Sequence, residues 1–206
     1  MDYLQKLRDN IFDESNLKES LAFVALFVAL YENFADLVVD RVECFYSKGF
    51  TLQKDGSIKA VLDEKYNNEV KNRTVDDKGN KNVLKATLLW FKDMDAITEA
   101  DYSLFLEVKE KRNKFVHRLT NVVMEGVEER DVKLFFEFFN LYKKLDRWWI
   151  NEFEIPIAGE FEPGTYDENE VRSVITELYE LMIGVLYLGK SEEYKTLISE
   201  YMGASL

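Results

Sequence analysis

Residues Leu21–Tyr31 read LAFVALFVALY, eleven consecutive residues without a charged side chain. The segment is apolar on every helical face, so it predicts a helix that is buried on more than one side. Eleven residues between Glu19 and Glu32 are too few to cross a bilayer, which needs about 20. The stretch therefore predicts a core helix, and either the same chain or a partner subunit can bury it.

The helical pattern extends outward from this core over about Asn16–Ser47. Asn16 and Glu19 have the spacing of a capping box, and Gly49 is a typical helix stop. The second half of the segment is amphipathic, which indicates one buried and one solvated face. We expect a single long first helix.

The segment of about 50–82 is the least regular part of the chain. Lys54–Gly56 and Asp76–Asn80 are turn signals, and only Ala60–Tyr66 indicates a short helix. We predict an irregular loop here, with Asp76 and Asp77 in a solvated turn. A loop of this length within a compact domain is often functional.

The remaining chain returns to helical periodicity, and no strand pair stands out. Pro156 and Pro163 are assigned to a loop between helices. The further predicted helices are Val83–Met94, Thr98–Thr120 with Thr98 and Asp101 at its start, Glu129–Phe153, Asp167–Leu188 and a short one from Ser191, so that C-terminal helices cover about 167–202. The sequence predicts one all-α domain over residues 1–206.

Composition limits the classes of function. The formal net charge is −12, so any site for a polyanion must be a local patch. Cys44 is the single cysteine, which excludes a disulfide framework and a Cys/His zinc set. There is no Gly-rich phosphate loop and no paired-carboxylate metal motif, so we predict neither a metal nor a cofactor. The N-terminal residues lack a signal-peptide pattern, and we expect a cytoplasmic protein without a membrane association.

One short stretch carries most of the chemical information. Residues Lys111–His117 read KRNKFVH and include the only histidine of the chain. Imidazole is the side chain that both accepts and releases a proton near neutral pH. Asn113 and His117 are four residues apart, which stacks them one turn apart on a helix.

Arg112 falls within the apolar stripe of the same helix, where a core residue normally lies. An unpaired guanidinium in a dry core would cost several kcal/mol. Arg112 must therefore either pair with a carboxylate, for which Asp36, Asp40 and Glu43 are candidates, or face a wet cleft.

The stretch also forms a compact basic patch in an acidic chain. The sequence from Lys109 to Arg118 contains five Lys or Arg residues and one acid, Glu110. We expect Lys109, Lys111, Lys114 and Arg118 to contact the phosphates if the patch binds nucleic acid. A basic run near a helix C-terminus also stabilises the helix dipole, which is the purely structural interpretation.

The pattern Arg112-Asn113-x3-His117 resembles the signature of HEPN-domain proteins, in which an arginine and a polar residue precede a histidine by four to six intervening residues. The resemblance is anchored by six residues and agrees with the helical pattern over about Asn16–Phe153. It implies a HEPN-like helical bundle with an irregular insertion after the first long helix and extra C-terminal helices. It also implies a metal-independent endoribonuclease of a toxin–antitoxin or antiviral-defence system.

The resemblance further implies the roles of the residues. His117 would act as general base or acid, Arg112 would neutralise charge on the phosphoryl oxygens, and Asn113 would orient His117 or a phosphate oxygen. Two copies of the motif would meet in one cleft of a homodimer. HEPN toxins that are controlled by modification carry a tyrosine two residues after the histidine, whereas this chain has Leu119, which argues against that control by an antitoxin partner.

Two alternatives remain open on the sequence. One is a non-catalytic helical dimerisation or binding module with a HEPN-like fold, which the acidity and the high aromatic content favour. The other is a nucleic-acid-binding regulator without chemistry. Trp148 and Trp149 can stack on bases, but at helical spacing a core or interface role is the more common one.

Overall fold

The computed structural model describes residues 3–74, 79, 81–159 and 165–188. Within this part of the chain the fold is mostly helical, as predicted, with one two-stranded sheet. The elements in chain order are α1 (Tyr3–Lys6), a π-helical turn (Leu7–Ile11), α2 (Glu14–Phe45), β1 (Ser47–Leu52), β2 (Ile58–Leu62), α3 (Glu64–Glu69), a 3₁₀ turn (Lys71–Thr74), α4 (Val83–Asp93), α5 (Glu99–His117), α6 (Leu119–Glu125), α7 (Glu129–Trp149), a π-helical turn (Ile150–Glu154), α8 (Ile155–Ala158) and α9 (Val174–Leu188).

The chain divides into two compact units, residues 1–141 and 142–206, and the division falls within α7. The core of the first unit is an aromatic cluster of α2, α5 and the first half of α7. Phe27 packs edge-on against Phe115 with ring centroids 5.0 Å apart, and Phe34 packs against Phe138 at the same distance. Such pairs add to the free energy that burial of the rings contributes.

The first long helix forms as predicted but begins earlier. Asp13, not Asn16, is the N-cap, because its carboxylate accepts a hydrogen bond from the Asn16 backbone N–H at 2.9 Å. The helix ends at Phe45, and Gly49 lies in β1 instead of stopping the helix. Among the described residues α2 is the one helix whose length and apolarity would also suit a membrane span, a property that core helices share.

The prediction of an irregular loop over about 50–82 is wrong for residues 50–74. β1 and β2 form an antiparallel hairpin, and the predicted turn at Lys54–Gly56 lies in its loop. Phe50 pairs with Ala60 and Leu52 with Ile58, which places these side chains on one face. This apolar face is exposed: Phe50, Leu52 and Ile58 are 63%, 75% and 72% accessible.

Several other boundaries follow from local chemistry. The predicted start of α5 is confirmed: Thr98 and Asp101 form a reciprocal capping box. Pro156 lies in the first turn of α8, where a missing N–H is tolerated, and not in a loop. The predictions at Asp76–Asp77, at Pro163 and from Ser191 onward fall outside the described residues.

In the second unit, a buried carboxylate organises the start of α9. Asp146 accepts hydrogen bonds from the Ser173 backbone N–H at 2.9 Å and from the Thr176 hydroxyl at 2.6 Å. The Ser173 hydroxyl accepts from the Thr176 backbone N–H at 3.3 Å. The helix therefore begins after Ser173, and the prediction of a start at Asp167 is wrong; Asp167 instead accepts from the Asn169 backbone N–H in a preceding turn.

Candidate functional site

Arg112 lies on the second half of α5 and is held by residues of α2. Its Nε donates to Glu32 Oε1 at 2.8 Å, and its Nη2 contacts the same oxygen. The guanidinium also stacks over the Tyr31 ring, with 5.4 Å between Cζ and the ring centroid. Arg112 therefore pairs with a carboxylate, but the three candidates Asp36, Asp40 and Glu43 were wrong.

The pairing follows from the packing of the two helices. Phe27 of α2 contacts Phe115 of α5, and Phe34 contacts Phe105 with ring centroids 5.7 Å apart, so the helices run antiparallel. Along α2, Glu32 lies between Phe27 and Phe34. Along α5, Arg112 lies between Phe105 and Phe115. The aromatic contacts thus set the helix register that brings Glu32 to the arginine.

The three acids that were candidate partners lie further along α2. Burial raises the pKa of Asp40, and the like charges of Asp36 and Glu43 raise it further. These carboxylates are successive neighbours on the helix, four and three residues apart, so they repel one another.

Asn113 contacts the arginine as well. Its Oδ1 accepts a hydrogen bond from Arg112 Nη1 at 3.2 Å, while its own side chain is exposed. A guanidinium has five N–H groups, and three donate within this cluster, two to Glu32 and one to Asn113. Among the contacts of the described residues, the other two N–H groups have no acceptor, so they can donate to an external oxyanion. The arrangement orients Arg112 without using all of its donors.

His117 is the last residue of α5, and it is exposed. The prediction that this helix continues to Thr120 is wrong, because Arg118 leaves helical geometry with φ −134° and ψ 34°. The chain then resumes as α6 at Leu119. The break places the imidazole at a helix end, where it is accessible to a solute.

The predicted basic patch is divided by its environment. Lys111 is nearly buried, since its side chain is 13% exposed, and it forms an ion pair with the buried Asp131 of α7. Lys109 and Lys114 are half-buried, and Arg118 is exposed. Lys111 is therefore paired within the protein with little of its side chain exposed, whereas Arg118 is fully available to a solute.

Apolar side chains are exposed beside the motif. Val116, one turn from Arg112, is 45% exposed, and Leu119, the first residue of α6, is 40% exposed. On α2 Leu21 is 42% exposed. It shares a helical face with Glu32, eleven residues further along, which is three turns of the helix. Exposed apolar side chains therefore lie on the helical face of Glu32 in α2 and one turn from Arg112 in α5.

Glu32 and Tyr31 are the site residues that sequence reasoning missed. Glu32 was recognised only as the end of the apolar segment, and no local pattern connects it with a residue 80 positions later. Burial raises the pKa of Tyr31, and the neighbouring Arg112 partly offsets that rise, so its hydroxyl stays protonated at neutral pH.

Within the described ranges no group of three or more His, Cys, Asp or Glu side chains is arranged to hold a metal ion. No protein-family model matches the chain, and no curated protein or solved structure is detectably similar to it. The chemistry of the side chains around Arg112 is therefore the basis for any functional proposal.

Proposed function

We propose that this protein is a metal-independent endoribonuclease of the HEPN type that acts as a homodimer. The observation that carries the proposal is the arrangement at the end of α5. Arg112 is oriented by Glu32 and Asn113 with donors to spare, and the single histidine is exposed five residues later at the helix end. An oriented cation and an accessible acid–base group are the two components that phosphodiester cleavage requires.

In this mechanism RNA supplies its own nucleophile. The 2′-hydroxyl oxygen attacks the adjacent phosphorus, and the bond from phosphorus to the 5′-oxygen breaks. One histidine accepts the 2′-hydroxyl proton and another protonates the leaving 5′-oxygen, a contribution of roughly 10²- to 10⁴-fold. Arg112 stabilises the charge on the phosphoryl oxygens. The products are a 2′,3′-cyclic phosphate and a 5′-hydroxyl.

The need for two histidines is the chemical reason for a dimer. Each chain has one histidine, and a two-fold axis beside the motif would supply the second. The exposed apolar side chains of Leu21, Val116 and Leu119 support an interface on this surface. We also propose a cytoplasmic setting in which a partner protein of a toxin–antitoxin or defence system restrains the activity.

The proposal is tested by incubating the purified protein with a short oligoribonucleotide in EDTA. We expect cleavage that persists in the chelator, weakens with added salt and yields cyclic phosphate ends by mass spectrometry. His117→Ala and Arg112→Ala should each lower cleavage at least 100-fold while the melting temperature stays within a few degrees. Arg8→Ala, which removes an exposed cation of the π-helical turn between α1 and α2, is the charge-matched control. Full activity of His117→Ala, or a strict requirement for Mg²⁺, would refute the mechanism.

A second candidate is a non-catalytic binding module with the same helical core. The exposed apolar face of the hairpin, formed by Phe50, Leu52 and Ile58, favours it, because contiguous exposed apolar side chains mark interaction surfaces. This candidate predicts a stable dimer or complex without RNA cleavage. The oligoribonucleotide assay therefore separates the two functions.

A further inference from the structure

A cavity of about 230 Å³ lies in the second unit, lined by the part of α7 after Tyr142 and by the segment that leads into α9. Its volume is below the range of roughly 300–1,000 Å³ typical of sites for drug-sized ligands. Its lining is polar, and Val171 is its one apolar residue. The cavity therefore suits a small, charged group.

Three cations line this cavity. Lys143 and Arg147 come from α7, and Arg172 comes from the segment before α9. Two carboxylates, Glu170 and Glu180, also line it, so the lining carries one net positive charge in a chain of −12. A local positive charge in an acidic protein attracts small anions against the overall field.

The cations differ in their partners. Glu180 lies 3.6 Å from Lys143 Nζ and 3.0 Å from Arg172 Nη1, so one carboxylate contacts two of them. Arg147 is different: its Nε is buried and, among the residues that the structure describes, has no hydrogen-bond partner. Buried N–H groups are almost always paired, and one that is not requires an explanation. Because Arg147 lines the cavity, an acceptor that binds there can pair with its guanidinium.

We propose that this cavity binds a phosphate group, with Arg147 as its principal ligand. Two guanidiniums and one ammonium offer forked and point-charge donors of the kind that phosphate oxygens accept. The Asn169 side-chain amide adds neutral donors to the lining. Glu180 competes with the phosphate for Lys143 and Arg172, so it limits the affinity. The phosphate can be free inorganic phosphate or the 5′-phosphate of a nucleotide whose remainder extends to solvent.

Calorimetric titration of the whole chain with inorganic phosphate and with adenosine 5′-monophosphate, at constant ionic strength, tests the proposal. We expect saturable binding at one site, lowered at least tenfold in Arg147→Gln and strengthened in Glu180→Gln because the competing charge is removed. Arg130→Gln, which removes an exposed arginine at the other end of α7, is the control and should bind as wild type. Tighter binding of the nucleotide identifies a nucleotide phosphate, and equal affinities identify the phosphate alone; both support the site.

Three results would overturn the proposal. These are no saturable binding at millimolar phosphate, equal binding of acetate, and wild-type affinity in both Arg147→Gln and Glu180→Gln. Should Arg147→Gln fail to fold, Glu180→Gln alone decides, since unchanged affinity there contradicts a shared site. The measurement leaves Arg112 and His117 intact, so its outcome is independent of the proposed RNA cleavage.

Discussion

Glu32 connects α2 with the candidate site, because its carboxylate accepts hydrogen bonds from Arg112. Its carboxylate accepts from Nε and Nη2 of Arg112, which fixes the orientation of the guanidinium and of its remaining N–H groups. We expect Glu32→Ala to lower kcat for an oligoribonucleotide by about 10- to 100-fold, because small displacements of a catalytic cation are costly. KM should stay constant or fall, since a negative charge near the RNA is removed.

Glu32→Gln provides the matched control for this prediction. The amide keeps an oxygen acceptor for Arg112, so kcat should fall less than in Glu32→Ala. The pair is partly exposed, with 48% of the Glu32 side chain accessible, so neither change should cost more than about 1 kcal/mol of stability. Identical kcat values in wild type and Glu32→Ala would show that Glu32 does not position Arg112.

Lys111 has a structural role, in contrast to its predicted contact with RNA. Its ammonium pairs with Asp131, whose side chain is 6% exposed, and lies 5.7 Å from the Phe115 ring centroid. We expect Lys111→Met to destabilise the protein by about 3 kcal/mol, because a buried carboxylate loses its closer partner and keeps only Arg130 Nε at 4.0 Å. Denaturant unfolding measures this loss.

The same change at a neighbouring lysine is the control. Lys114 is half-buried on the same helix, so Lys114→Met should change stability by less than about 0.5 kcal/mol. The double variant Lys111→Met with Asp131→Leu should recover most of the loss, since both charges are then absent. Equal stability of the two single variants would contradict a buried ion pair. RNA-binding tests by charge reversal therefore belong at Lys114 and not at Lys111.

At the scale of elements, one hydroxyl joins the end of α2 to α3 and α4. Tyr46 donates to Glu69 of α3 at 2.5 Å and accepts from Trp90 Nε1 of α4 at 3.0 Å. Burial raises the pKa of Tyr46 to about 12, and the hydrogen bond to Glu69 contributes to that rise. The folded state therefore favours the protonated hydroxyl.

The sign of the pH dependence follows from that shift. The contribution of the Tyr46 pKa shift to the free energy of unfolding is fully present below the unfolded pKa of about 10. It is lost as pH rises through the folded pKa of about 12. At pH 8 we expect Tyr46→Phe to cost about 1–3 kcal/mol, because the buried Trp90 Nε1 loses its acceptor and Glu69 loses a donor. The difference between wild type and variant should shrink from pH 10 to 12 in urea unfolding. A constant difference across this range would contradict the network, and comparison with the variant cancels the titration of other tyrosines.

At the scale of the whole molecule, the exposed apolar surface beside the motif predicts self-association. We expect Leu21→Glu combined with Ala25→Glu to convert a dimer to a monomer at micromolar concentration, since both residues are exposed on one face of α2. Light scattering measures the mass, and melting should stay close to wild type because no core contact is removed. Leu4→Glu, a change at a 69% exposed leucine of α1, is the control. A wild-type monomer would remove the composite site from the mechanism.

The helical elements could be predicted from the sequence because their causes are local. The period of apolar residues in α2, α4 and α5 and the Thr98–Asp101 capping box act within a few residues of chain. The motif residues Arg112, Asn113 and His117 were likewise found by spacing alone. Interactions between residues within about one helical turn of each other can therefore be predicted from the sequence.

The tertiary structure decided what each of these residues contacts. Glu32 and Arg112 are 80 positions apart, and only the aromatic packing of α2 on α5 brings them together. Asp131 of α7 likewise pairs with the charged Lys111 and leaves little of its side chain exposed, whereas the apolar Val116 of the same helix is 45% exposed. Periodicity identifies a helical face but not the element that covers it, because burial depends on contacts between segments distant in sequence.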